Sequence, residues 1–224
     1  MIKEQGFWLA IDGVDAVGKT TQMKLVAKRV RDRGKDVVCV EEFSDSPLGE
    51  MIRLILAKNR FFSLSSDQGS PVADILTLMT DLTYRFETVI NPALKAGKIV
   101  VSDRGTCSFI GYQTAHLETS QENFYLRGKV SPKDWVEKLV ASSFICPNLT
   151  ILFYLSEKEM VKRIVKRGGS PPLEEEKMFL RRVSEIMDEL PEVLIGKVVK
   201  IDGEFPAREV TEKIVEAINL HFPP

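Results

Sequence analysis

The sequence predicts a three-layer α/β fold: a five-stranded parallel sheet with helices on both faces, built as one domain over residues 1–224. Two observations point to it. Short, unbroken apolar runs recur along the chain, as strands buried on both faces require, and segments of helical apolar spacing separate them. Three of those runs end in polar residues, Asp12, then Glu41 and Glu42, then Asp103 and Arg104. In such sheets ligands bind beyond the carboxyl ends of the strands, so these residues mark one edge as the chemical one.

Each element follows in order. Residues 6–11, GFWLAI, read as a buried first strand. Met23, Leu25, Val26 and Val30 recur at helical spacing after Lys19, and Gly34 stops that helix. DVVCVE, 36–41, is the second strand. Pro47 opens the next helix, where its missing N–H does no harm, and Leu48, Met51, Ile52, Ile55 and Leu56 form its apolar face. Serines and a glycine within 61–70 mark a loop, and a long helix is expected over 72–96. KIVVSDRG, 98–105, gives the third strand, and NLTILFYLS, 148–156, the fourth. The helix EKEMVKRIVKR follows, then KVVKIDG, 197–203, as the fifth strand before a closing amphipathic helix.

Composition narrows the function classes. A formal net charge of -1 leaves no basic surplus for a sequence-independent grip on nucleic acid. Cys39, Cys107 and Cys146 are odd in number, widely spaced and in no metal-ligand pattern, which fits a reducing compartment. The apolar run before Asp12 is too short for a secretory core or a membrane span. A cytoplasmic protein without a membrane partner is the expectation.

The stretch 13–20 satisfies G-x-x-x-x-G-K-[ST] through Gly13, Gly18, Lys19 and Thr20, between a strand and a helix. In that context the backbone N–H groups cradle phosphate, the Lys reaches the β/γ-phosphates and the hydroxyl faces Mg²⁺. Gly13, Asp15, Ala16, Val17, Gly18, Lys19, Thr20 and Thr21 are therefore the expected contacts of Mg²⁺-ATP. Arg104 after Asp103, in place of a water-activating glutamate, and the lack of a guanine-reading N-K-x-D favour phosphoryl transfer to a small acceptor.

Further motifs carry a resemblance. IDGVDAVGKTTQ (11–22), SPLGE (46–50), VINPALKAGKIVVSDRG (89–105), SFIGYQ (108–113) and PNLTILFYLSEKEMVKRIVKRG (147–168) together resemble the thymidylate kinase family of nucleoside monophosphate kinases. The likeness covers most of the chain and is weaker over 112–144 and after Gly168. It implies a P-loop kinase fold, ATP and Mg²⁺ as cofactors, dTMP as acceptor and a homodimer. It also implies that Asp15 contacts the acceptor sugar, Asp103 helps place the metal with Thr20, and Arg104 binds the acceptor phosphate. Ser108, Tyr112 and Gln113 would line the acceptor pocket, and 167–176 would form a lid.

Three departures bear on the acceptor. Glu41 stands where the family pattern T-R-E-P-G-G has its Arg; facing a phosphate at about 6 Å and an effective dielectric near 20, it would repel by roughly 3 kcal/mol per unit charge. Neighbouring strand residues point to opposite faces, so Glu41 and Glu42 should not both enter the cleft. Glu42 matches the family's glutamate and also resembles the general base of deoxynucleoside kinases. Leu78 and Leu82 occupy the positions of the family's base-stacking Phe and base-reading Arg. Arg85, one turn later, is either a substitute reader or a solvated helix residue. Ala16 and the lid segment RGGSPPLEEEK lack family arginines, and Arg163 with Arg167, four apart on one helix face, are the candidate replacements. Residues 174–182 read as a charged helix surface. A deoxynucleoside kinase and a nucleotide-binding regulator are the alternative readings.

Overall fold

The computed structural model describes residues 6–59, 61–64, 70–120, 124 and 126–222. Its sheet has five strands, β1 (Phe7–Gly13), β2 (Val37–Val40), β3 (Ile99–Asp103), β4 (Leu149–Tyr154) and β5 (Lys197–Asp202). Every neighbouring pair is parallel, in the order β2-β3-β1-β4-β5. The central β1 is buried along its whole length, whereas β2, at the edge, is buried only at Val40. The register sets Ile11 opposite Asp103 and Gly13 opposite Phe153, so the polar strand ends meet at one edge, as expected.

Helices cover the sheet: α1 (Lys19–Arg31), α2 (Pro47–Leu56), α3 (Pro71–Arg85), α4 (Asn91–Lys95), α5 (Thr106–Thr119), α6 (Pro132–Ser143), α7 (Glu157–Lys166), α8 (Glu174–Asp188), α9 (Glu192–Ile195) and α10 (Ala207–His221). The helix expected over 72–96 is present in three parts, because a π-helical turn, Phe86–Ile90, joins α3 to α4. Pro92 lacks an N–H for the regular ladder, and the Asn91 N–H reaches back to the Phe86 carbonyl instead. The wider turn lets the helix continue through a proline that would otherwise break it. The loop expected over 61–70 lies partly outside the described residues; 61–64 and Ser70 are non-helical.

The helices over 106–119 and 132–143 have no counterpart among the elements expected from the sequence. α5 is buried on nearly all sides, through Cys107, Phe109, Ile110, Ala115 and Leu117 among others, so it shows no single apolar stripe. It packs closely on α8, where a Cβ on Gly111 would come within 2.7 Å of the Met187 side chain. α6 opens with Ser131, whose Oγ accepts the Asp134 N–H at 3.0 Å, and Pro132 in the first turn. One continuous apolar cluster runs from β1 through the sheet to α10, and Trp8 at its centre donates from Nε1 to Ser102 Oγ at 2.8 Å.

Candidate active site

The phosphate loop bends as its sequence requires. Gly13 and Gly18 sit at φ 136° and 105°, conformations that side chains resist. A Cβ on Gly13 would lie 2.8 Å from the Phe153 carbonyl oxygen, whereas one on Gly18 would meet nothing within 4 Å. The first glycine is needed for packing and the second for the turn into α1. Lys19 folds back over the loop, donating from Nζ to the carbonyls of Gly13 (3.1 Å) and Val14 (2.8 Å). Burial and the nearby Arg104 charge pull its pKa down to about 8 against the opposing pull of Asp15, Asp103 and Glu42. An ammonium so placed gains strongly from an incoming phosphate.

Thr20 donates its hydroxyl to Asp103 Oδ2, joining the start of α1 to the end of β3. The other carboxylate oxygen, Asp103 Oδ1, is buried without a hydrogen-bond partner among the described residues. A hydroxyl and an orphaned carboxylate oxygen beside a phosphate loop fit Mg²⁺, which takes one or two protein oxygens and keeps water and phosphate for the rest. Among the described residues no cluster of His, Cys, Asp and Glu side chains forms an all-protein metal site.

Arg104 is the junction of the site. Its backbone takes φ 69°, left-handed and costly for a side chain of this size, held by its N–H to the Ile11 carbonyl at 2.9 Å. Asp12, fully buried at the end of β1, fixes the following turn by accepting the N–H groups of Gly105 (3.0 Å) and Ser108 (2.9 Å). Burial pushes the Asp12 pKa up, despite those hydrogen bonds. The Arg104 guanidinium donates to Gly13 O (3.0 Å), Ser108 Oγ (3.2 Å) and Asp15 Oδ1 (2.7 Å), and stacks over the Tyr112 ring at 4.7 Å. Its Nε lies 2.8 Å from Glu42 Oε1, a charge contact whose N–H is not aligned on the oxygen. Asp15 also accepts the Tyr112 hydroxyl at 3.1 Å. Burial alone would raise the Asp15 pKa, but the Arg104 and Lys19 charges outweigh it and hold the carboxyl below its usual range.

A cavity of about 300 Å³ opens beside this junction. Asp15, Glu42, Arg85, Arg104, Ser108, Tyr112 and Gln113 all line it, so the predicted acceptor residues come together. Leu78 and Leu82 line it as well, with Phe61, Phe62 and Phe109, which the sequence reading did not single out because their contacts form only on folding. Of the two glutamates, Glu42 faces the cavity and Glu41 is exposed, which removes the expected phosphate repulsion. The Glu41 backbone carbonyl accepts Arg85 Nη1 at 2.8 Å. Arg85 is therefore buried rather than solvated.

At the C-terminal end of α7, the base of the expected lid, the two candidate arginines differ. Arg163 is fully engaged, with Nε on Glu159 Oε1 (3.0 Å), Nη1 on Val17 O (3.3 Å) and Nη2 on Gly203 O (2.8 Å). It braces the phosphate loop from behind. Arg167 caps α7 with an exposed side chain, next to Gly168 at φ 86°. Both line a second hollow with Val17, Gly18, Thr21 and Phe205.

The sequence profile described as "Thymidylate kinase" matches residues 11–214. The chain is 33% identical over 165 residues to the probable thymidylate kinase of Pyrococcus horikoshii, covering 73% of this chain and 72% of that one. It is 28% identical over 219 residues to the thymidylate kinase of Thermoanaerobacter sp. (strain X514), covering 97% and 100%. Its fold is similar to the crystal structure of thymidylate kinase from Ehrlichia chaffeensis, with a TM-score of 0.67 at 18% identity over 96% of this chain and 99% of that one. For the thymidylate kinase of Candida albicans the TM-score is 0.70 at 21% identity, over 96% and 92%.

Proposed function

The chain belongs to the thymidylate kinase family, and from that premise we propose that it transfers the γ-phosphoryl group of ATP to dTMP. The observation that carries this reading is the reach of Arg104, which touches the phosphate loop at Gly13 O and lines the acceptor cavity. One guanidinium thus spans donor and acceptor, where negative charge accumulates during in-line transfer.

In this reading Gly13, Asp15, Ala16, Val17, Gly18, Thr20 and Thr21 hold the triphosphate, and Lys19 leaves its loop carbonyls to bind the β/γ-phosphates. Thr20 and Asp103 would hold Mg²⁺, which supplies charge neutralisation. Arg104 fixes the acceptor phosphate, and Tyr112 and Ser108 hold the guanidinium in place. Glu42 supports the same guanidinium by its 2.8 Å charge contact, which leaves it poorly placed to deprotonate a sugar hydroxyl. Arg167, exposed on the lid over 167–176, is better placed than Arg163 to swing toward the transferring group. Catalysis then consists of positioning and charge, with a lid that excludes water.

The wider setting rests on lesser observations. Among the described residues no helix is long and apolar enough to cross a membrane, and all three cysteines are unpaired. These support a cytoplasmic enzyme acting on small nucleotides rather than nucleic acid. Exposed Met51 and Leu54 on α2 and Leu76 and Tyr84 on the neighbouring α3 support a homodimer.

An ADP-release assay with Mg²⁺-ATP and a panel of nucleosides and monophosphates tests the function. Stimulation by dTMP is expected, and Lys19→Ala should lower turnover by roughly 10³-fold or more with the fold retained. Turnover with thymidine but not dTMP, or none with any acceptor, refutes the reading.

A further inference from the structure

Asp81, Arg85 and Glu42 form a charge cluster on the acceptor cavity whose purpose the fold alone does not explain. Arg85 is 7% exposed and held on two sides, by a hydrogen bond from Nη1 to Glu41 O at 2.8 Å and by a 3.2 Å charge contact of Nε with Asp81 Oδ2, whose N–H is not aligned on the oxygen. Asp81 is fixed in turn by the backbone N–H of Ser44 at 3.2 Å and by the Ser44 hydroxyl at 2.5 Å. The remaining amino group, Nη2, has no hydrogen-bond partner among the described residues, yet it is not among the atoms sealed from solvent. A buried guanidinium with a free edge on a cavity is costly to maintain unless an anion or acceptor meets it.

Its place along the cavity says which end of a nucleotide it meets. α3 and α5 run beside the cavity as two rails. At one end Asp74 of α3 lies 3.4 Å from His116 of α5. Roughly 16 Å along α3, at about 1.5 Å per residue, Arg85 reaches the end of β2, beside the Glu42–Arg104 contact. The phosphate loop lies at this second end, since Arg104 also binds Gly13 O. Leu78 and Leu82, earlier on α3, line the stretch between.

We infer that Arg85 grips the acceptor phosphate as a second cation beside Arg104, and so sets the preference for a nucleoside monophosphate over a nucleoside. This rests on the nucleotide kinase reading above. Three carboxylates, Asp15, Glu42 and Asp81, line the cavity against the two guanidiniums. Without Arg85, Arg104 would be left as the cavity-lining cation against these carboxylates and a dianionic phosphate, helped only by Lys19 from the phosphate loop. The exposed Glu41 then has a clear role: its side chain stays in solvent while its carbonyl orients the arginine that supplies the charge.

The test compares the wild type with Arg85→Gln and Arg85→Lys, using KM for dTMP and the inhibition constant of thymidine against dTMP. Arg85→Gln is expected to raise KM for dTMP about 10- to 100-fold, the worth of one charged hydrogen bond. It should leave thymidine binding within about 3-fold and kcat less affected than KM, with Arg85→Lys restoring part of the loss. Equal weakening of both ligands would mean a structural role and overturns the inference, as does an unchanged KM for dTMP. Loss of discrimination between dTMP and dCMP, with the dTMP-to-thymidine ratio intact, would make Arg85 a base reader and overturns it too. Should the wild type phosphorylate no monophosphate, the functional reading fails separately. Calorimetric affinities for dTMP and thymidine then still decide: a ratio that falls in Arg85→Gln supports the phosphate grip, and an unchanged ratio overturns it.

Discussion

Burial and the neighbouring Arg104 guanidinium bring the Lys19 pKa to about 8, against 10.5 for an unperturbed lysine. Between those values the unfolded chain binds the proton that the folded chain has released. The cost of burying the ammonium is therefore greatest below pH 8 and fades as pH rises toward 10.5. Relative to Lys19→Met, the ligand-free wild type should gain stability across that interval, read from urea midpoints at pH 7, 9 and 10.5; a constant difference would contradict the assignment. Triphosphate reverses the shift, so ATP binding at pH 9 should take up a proton, seen as buffer-dependent heats. The loop motif made Lys19 legible in the sequence, but the depressed pKa was not, because it depends on Arg104, distant along the chain. Asp12 was legible only as a polar strand end. Its capping of Gly105 and Ser108 exists because β1 and β3 are adjacent.

The secondary-structure elements divide by how they signal themselves. β1, β3 and β4 were readable because burial on both faces leaves a near-continuous apolar run, the more exposed β2 and β5 because short valine-rich runs sit between polar residues, and α1, α2, α7 and α10 because each keeps one polar face. α5 was not readable, since a helix buried nearly all round has no stripe. That gap also hid Phe109 on α5, which walls the cavity beside Arg104 together with the loop residues Phe61 and Phe62. The two arginines at α7 looked equivalent at helical spacing, and only the folded loop separates them. Arg163→Ala should therefore raise KM for ATP about 10-fold by releasing the Val17 and Gly203 carbonyls. Arg167→Ala should leave stability within about 0.5 kcal/mol and lower kcat instead. Steady-state kinetics with urea midpoints checks both, and the reverse pattern would exchange their roles.

At the scale of the molecule, the apolar cluster is continuous from β1 to α10, with sheet and helices contributing to the same core. Equilibrium unfolding is expected to proceed in one transition, with fluorescence of the core Trp8 and the partly buried Trp135 and far-ultraviolet dichroism giving coincident midpoints. Separated midpoints would mean that the 167–176 segment or the α3–α5 side melts on its own. The same continuity ties the two substrates together. Because one guanidinium rests on both the Gly13 carbonyl and the Asp15 and Glu42 carboxylates, whichever substrate arrives first changes what the second one finds. Thermodynamics makes that influence mutual: any factor by which dTMP tightens ATP must equal the factor by which ATP tightens dTMP. Titrating either ligand in the presence and in the absence of the other reads out that single factor.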